Sequence, residues 1–180
     1  LIFKFKGVKI MNYRTKTYIA GEWDGDKDAI QKLHDWNDSK HLSLSFTDAH
    51  DLTQARDGSL NCSIKSSLNT RLNASKTFVL IVGSNTKTAR SGRCQYCASY
   101  NSWTGSCARG HSIDNKSYIE YECNRAVEDK LKIVVLYNAA SVDKSKCPDV
   151  IRNVGEHVAM CTYENGSYYW NYQAVKKALS

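Results

Sequence analysis

Two sets of residues in this chain have types and spacings suited to chemistry. The first is a lone carboxylate. In Lys116–Asn138, KSYIEYECNRAVEDKLKIVVLYN, Ser117 and Glu120 have the spacing of a capping box, so a helix should begin there. Glu120 then has a structural task at the cap. Glu122 has none: it falls in the first helical turn on a different face, with Tyr118 one turn behind it. A helix's first turn is partly positive and favours an ionised carboxylate. Such a group either complements that dipole or, next to a ligand, stabilises a developing positive charge.

The second set is Cys94-x2-Cys97-x9-Cys107-x3-His111. Three thiols and an imidazole suit tetrahedral zinc, and four protein ligands would make that zinc structural, with no open position for catalysis. The surrounding SGRCQYCASYNSWTGSCARGHS is rich in Gly and Ser and poor in aliphatic residues, so a metal would supply folding energy it otherwise lacks. A flexible loop with free thiols is an equally good account of the spacing. A redox CxxC is disfavoured, because no strand leads directly into a helix opening on the pair. Of the five histidines, none pairs by spacing with a serine or cysteine nucleophile, and only His50 falls near the expected ligand side of the fold. Neither GxGxxG nor GxxxxGKS occurs, which argues against a dinucleotide-binding dehydrogenase and a P-loop NTPase.

The elements that must position these residues alternate between two periods. Thr15–Trp23 reads as a first strand and its exit, with Asp26 as the N-cap of a helix carrying Ala29, Ile30, Leu33 and Trp36 on one face. His41–Phe46 alternates as a second strand, followed by an acidic, polar loop from Thr47 to Asp51. Ser59 is a candidate cap for a helix with Leu60, Ile64, Leu68 and Leu72 at a spacing of four. Lys76–Gly83 and Ile133–Tyr137 are unbroken apolar runs, the pattern of strands buried on both faces. Val142–Gly155 is a polar loop holding the only proline. His157–Tyr163 is a fifth strand, Asn165-Gly166 a tight turn, and Ala174–Leu179 a terminal helix.

This order predicts an α/β fold: a five-stranded, mainly parallel sheet with helices on both faces, in flavodoxin-like order, with a Cys-rich insertion at 90–115. Ligands of such sheets bind beyond the carboxyl ends of the strands. There the chain places Ala20–Asp24, Phe46–Asp51 and Gly83–Thr86, next to the start of the Tyr118 helix. With 180 residues, 1–180 reads as one domain, 1–14 being an N-terminal extension whose residues 1–10 could form a short edge strand. No segment is long and apolar enough for a membrane span, and no secretory signal is evident. With an odd count of seven cysteines, that points to a reducing, cytoplasmic setting. The net charge of +7 is scattered and is weak support for nucleic-acid binding.

Three segments together, TYIAGEW, KTFVLIVGSNT and YIEYECNRAVEDKLKIVVLYN, resemble the bacterial TIR-like domains of Thoeris anti-phage systems. The last matches the family's aromatic-x-x-aromatic-Glu helix entry and the apolar strand behind it. The resemblance runs from Lys16 to Asn138 and more loosely to the C-terminus. It places Glu122 at the catalytic glutamate of an NAD-cleaving enzyme of defence signalling. NAD would be a substrate, with no cofactor required. Loss of nicotinamide leaves an oxocarbenium-like ribose, which a single carboxylate can stabilise. By strand-end position and analogy, Trp23 could stack on a ring, Asp48 hold ribose hydroxyls, and Ser84 reach a phosphate or ribose, with Tyr118 beside them. The resemblance further implies a cyclic ADP-ribose signal read by a partner effector, and a possible homo-oligomer. A non-catalytic TIR-like or receiver-like interaction module remains open on the same fold, as does a zinc-stabilised nucleic-acid binder.

Overall fold

The computed structural model describes residues 13–50 and 59–180. The edge strand expected within residues 1–10, and Asp51 of the acidic loop, lie outside them. Four parallel strands form the central sheet, in the order β1 (Lys16–Ala20), β2 (Ser75–Val82), β5 (Lys132–Tyr137), β6 (Glu156–Ala159). The register pairs Ile19 with Val79, Val79 with Val134, and Val135 with His157. Strand alternation sends Tyr18, Phe78, Leu80, Ile133 and Val135 to one face. There α2 (Asn61–Asn73) and α3 (Tyr118–Glu128) cover them. Ile19, Val79, Ile81, Val134 and Leu136 face the other way. They pack under α1 (Trp23–Asp38) and α4 (Tyr172–Leu179). Each central strand is thus apolar on both sides, as its sequence required.

The sheet differs from expectation at one edge. His41–Phe46 is not a strand; only a parallel bridge between Thr17 and Asp48 stands in the place of the fifth. Two local causes are visible. The Asn37 side chain takes both the N–H and the C=O of Phe46, at 2.9 and 3.1 Å, groups a neighbouring strand would otherwise use. Ser45 adopts φ 57, which breaks an extended run. The order is nonetheless that of a doubly wound sheet: bridge segment, β1, β2, β5, β6. The chain leaves β1 outward on one side and returns on the other at β2, so the switch point lies between these two strands.

Two boundaries also move. Helix α1 starts at Trp23, earlier than an Asp26 cap would place it, because Glu22 is the N-cap and accepts from the Gly25 N–H at 2.7 Å. Asp26 instead lies buried inside the helix. Helix α2 begins after Leu60 and has no side-chain cap, so Ser59 does not serve as one. The predicted fifth strand divides after Ala159: β7 (Cys161–Glu164) turns away and pairs antiparallel with β8 (Ser167–Trp170). Asn165 and Gly166, both at positive φ, form its two-residue turn. The Cys-rich segment carries a single 3-10 turn (Cys94–Tyr96) and the antiparallel pair β3 (Tyr100–Asn101) and β4 (Ser106–Cys107). Among the described residues no helix is long and apolar enough to cross a membrane.

Candidate functional site

A cavity of about 700 Å³ opens at the switch point, within the usual range for small-ligand pockets. Its walls are the β1–α1 turn (Gly21–Asp24), Ile64 and Leu68 of α2, the stretch after β2 (Asn85, Thr88, Ala89, Ser91), and Tyr118, Ile119 and Glu122 of α3. The capping box holds as expected. Ser117 Oγ accepts from Glu120 N–H at 3.2 Å, and Glu120 accepts from the Ser117 N–H at 2.7 Å. With Glu120 committed to the cap and to Arg93, the helix turns Glu122 inward, where it is only 7 % exposed.

Glu122 is held from the sheet. Tyr18, fully buried on β1, donates its hydroxyl to Glu122 Oε1 at 2.5 Å. Burial pushes the Glu122 carboxyl up to about 7, against the Tyr18 hydrogen bond and the nearby His50 and Arg71, which all favour its charged form. The Tyr18 phenol moves upward as well, through its own burial and then the adjacent carboxylate. A carboxyl poised near neutrality within a cavity is a group suited to charge chemistry.

The sequence-derived residues divide into three. Trp23, Tyr118 and Glu122 line the same cavity. Trp23 stands at its rim, 60 % exposed, with the Lys27 ammonium 5.8 Å from its ring centre. Tyr118 is fixed through its N–H to Ser91 O at 2.8 Å and its hydroxyl to Asn61 Oδ1 at 3.0 Å. Gly92 lies under its ring at φ +95, where a Cβ would fall 2.5 Å from Tyr118 Cδ1.

Asp48 and Ser84 are not brought into this cavity. The Asp48 carboxylate accepts from the His50 N–H at 2.9 Å, meets the His50 ring at 2.8 Å, and lies 3.4 Å from His34 Nε2. Burial disfavours its charge, but the His50 bonds and both imidazoles outweigh that and hold its pKa below the usual value. Ser84 lines a separate cavity of about 270 Å³, with Asp26, Gly83, Asn138 and Lys146. The divide between the two is the start of α1, whose buried Asp26 packs so closely on Gly83 that a Cβ there would lie 2.0 Å from Oδ1. Asn85, one residue on, faces the Glu122 cavity instead.

The third group, Cys94, Cys97, Cys107 and His111, lines one small cavity together with Cys62 of α2. Among the described residues, no three His, Cys, Asp or Glu side chains are grouped so as to hold a metal ion as they stand. Sequence reasoning missed Cys62, which lies off the apolar stripe of its helix. It also missed Tyr18, Arg71 and the Glu22 cap. Tyr18 did leave a signal: a buried tyrosine in the middle of a strand must find a partner for its hydroxyl.

The family model for the TIR-like domain of the Thoeris protein ThsB matches residues 18–92. No curated protein matches the chain. The matched stretch contains Tyr18, the β1–α1 turn, α2 and β2, and so three of the four walls around Glu122, while Glu122 itself follows it.

Proposed function

This chain carries a TIR-like domain of the Thoeris ThsB type, and from that premise we propose that it cleaves NAD, with Glu122 as the catalytic carboxylate. The observation that carries the proposal is the buried Glu122 in the cavity wall at the switch point, hydrogen-bonded to Tyr18. In this reaction the bond between the ribose C1′ and the nicotinamide nitrogen breaks. Its electron pair leaves with nicotinamide, which departs neutral, so no general acid is required. The positive charge passes to the ribose as an oxocarbenium-like centre. Ionised Glu122 stabilises that charge in a site of low dielectric. Water captures the ribose to give ADP-ribose and a proton. Capture by a group of the same molecule gives a cyclic ADP-ribose and a proton, the signal we propose for a partner effector in anti-phage defence.

Trp23 at the rim offers a ring for stacking, and Tyr118 supplies the facing wall. Asp48 and Ser84 do not line this cavity. Asp48 acts on the site through His50, whose charge favours ionised Glu122. Product analysis after incubation with NAD and a phage-derived trigger tests the reading. Nicotinamide release is expected, and Glu122→Gln is expected to lower it by about 100-fold or more. An unchanged rate in that variant would overturn the role of Glu122. No NAD turnover by the triggered wild type would favour the interaction-module alternative.

A further inference from the structure

The Cys-rich segment has almost no interior of its own. From Arg93 to Lys116 no residue is buried. Trp103, its largest apolar side chain, is 97 % exposed. The pair β3–β4 has two residues per strand, far too little to be stable alone. Cys94, Cys97 and Cys107 are among the few residues of the segment that are even half-buried, and all three line one cavity of about 10 Å³.

The backbone around these thiols is already folded into tight turns that begin on cysteines. Cys97 N–H donates to Cys94 O, and Gly110 N–H to Cys107 O, each at 2.9 Å. Asp114 N–H donates to Cys94 Sγ at 3.3 Å, a bond that favours a thiolate. The fourth thiol comes from outside the segment. Cys62 sits in the first turn of α2, which has neither a side-chain cap nor an acidic residue, so a thiolate there would meet unopposed N–H groups. It is half-buried in the same cavity, whereas His111 is exposed.

We propose that Cys62, Cys94, Cys97 and Cys107 bind a structural zinc ion that fastens the Cys-rich segment to helix α2. Four thiolates satisfy tetrahedral zinc and leave no open coordination position. The thiols as they stand are not drawn to one point. A bound cation would draw them together, since S–H groups are weak donors and thiolates repel one another. His111 also lines the cavity but is exposed, so half-buried Cys62 takes its place in the proposed ligand set. The neighbour of Cys62, Asn61, accepts from the Tyr118 hydroxyl and donates to Arg93 O at 3.0 Å each. The ion would therefore brace one wall of the Glu122 cavity without entering it.

Metal analysis of the full chain, purified from zinc-supplemented cells without chelators, tests this directly. Stoichiometric zinc is expected in the wild type and in His111→Ala, and its loss in Cys62→Ser. Should Cys62→Ser fail to fold, X-ray absorption at the zinc edge of the wild type decides the ligand set. Four sulfur scatterers at about 2.3 Å are expected. A shell containing imidazole nitrogen, or zinc lost from His111→Ala and kept in Cys62→Ser, would overturn the assignment of Cys62. A metal-free wild type with reactive thiols, an isolated Cys94–Cys97 disulfide, or iron in place of zinc would overturn the site.

Discussion

Two regions flank helix α3 and its Glu122, and they are built by different physics. On the sheet side, β1, β2 and β5 put Tyr18, Phe78, Leu80 and Val135 into a continuous apolar interior. There each side chain is held by many neighbours, and position follows from packing. The Cys-rich side has no such interior. It is held by a few discrete bolts. Lys65, 6 % exposed on α2, donates to Asp114 O at 3.1 Å and Lys116 O at 2.8 Å, and meets the Asp114 carboxylate at 3.0 Å. Asn61 holds Arg93 and Tyr118 at the segment's other end. A packed wall spreads its stability over the whole domain, whereas a bolted one can open locally while the sheet stays folded. Glu122 stands at the seam, with its carboxylate held by the packed wall and its helix started by the bolted one.

The contrast would break most visibly in the sheet. Leu136→Ala, at a fully buried position on the α1–α4 face, should lower global stability by about 2–5 kcal/mol, read by denaturant unfolding. Glu122→Gln should act in the opposite direction. The carboxyl is raised to about 7 in the folded chain, so between its unfolded value and that pH the native state keeps a proton the unfolded chain has lost. Native stability therefore falls as pH rises through this window. The glutamine variant escapes the penalty, and its advantage should grow with pH to roughly 3 kcal/mol above neutrality, as an upper figure. Unfolding curves at pH 4 and pH 8 check the sign.

Lys65→Met tests the bolts. We expect a loss of about 1–3 kcal/mol, because two backbone carbonyls and Asp114 lose a buried partner. Hydrogen exchange should rise first from Arg93 to Lys116 and not in β2 or β5. Tyr18→Phe sharpens the seam itself. The lost hydrogen bond favoured ionised Glu122, so the carboxyl should rise further. The acidic limb of the pH–rate profile should then move up by about one pH unit, with activity recovering at higher pH. Trp103→Ala, at the exposed tip, should change stability by no more than about 0.5 kcal/mol.

Much of the packed wall was legible in the chain. FVLIV and IVVLY could be buried strands because every residue in them tolerates an apolar setting on both faces. Ser117 and Glu120 declared the start of α3 because a capping box is a local exchange of two hydrogen bonds. The second strand was misread because alternation in HLSLSF reports which side chains could share a face, not whether another group has already taken the backbone. Asn37, nine residues away, had done so. Trp23 and Tyr118 line the Glu122 cavity, since each lies at the end of an element whose direction was clear. Ser84 lines the other cavity, because a one-residue step across Asp26 and Gly83 decides which of the two a side chain enters.

By itself, then, the sequence determined the alternation of strands and helices, the cap that frees Glu122 from structural duty, and the clustering of cysteines before it. These are matters of neighbours three or four residues apart. Tertiary structure alone decided that Tyr18, far earlier in the chain, would hold that carboxylate. It also decided that Asp48 would turn to His50, and that Cys62, from a helix earlier in the chain, would join the thiols and His111 in lining one cavity. Those outcomes depend on which strand lies beside which and how deeply each side chain is covered, and chain-local spacing carries neither.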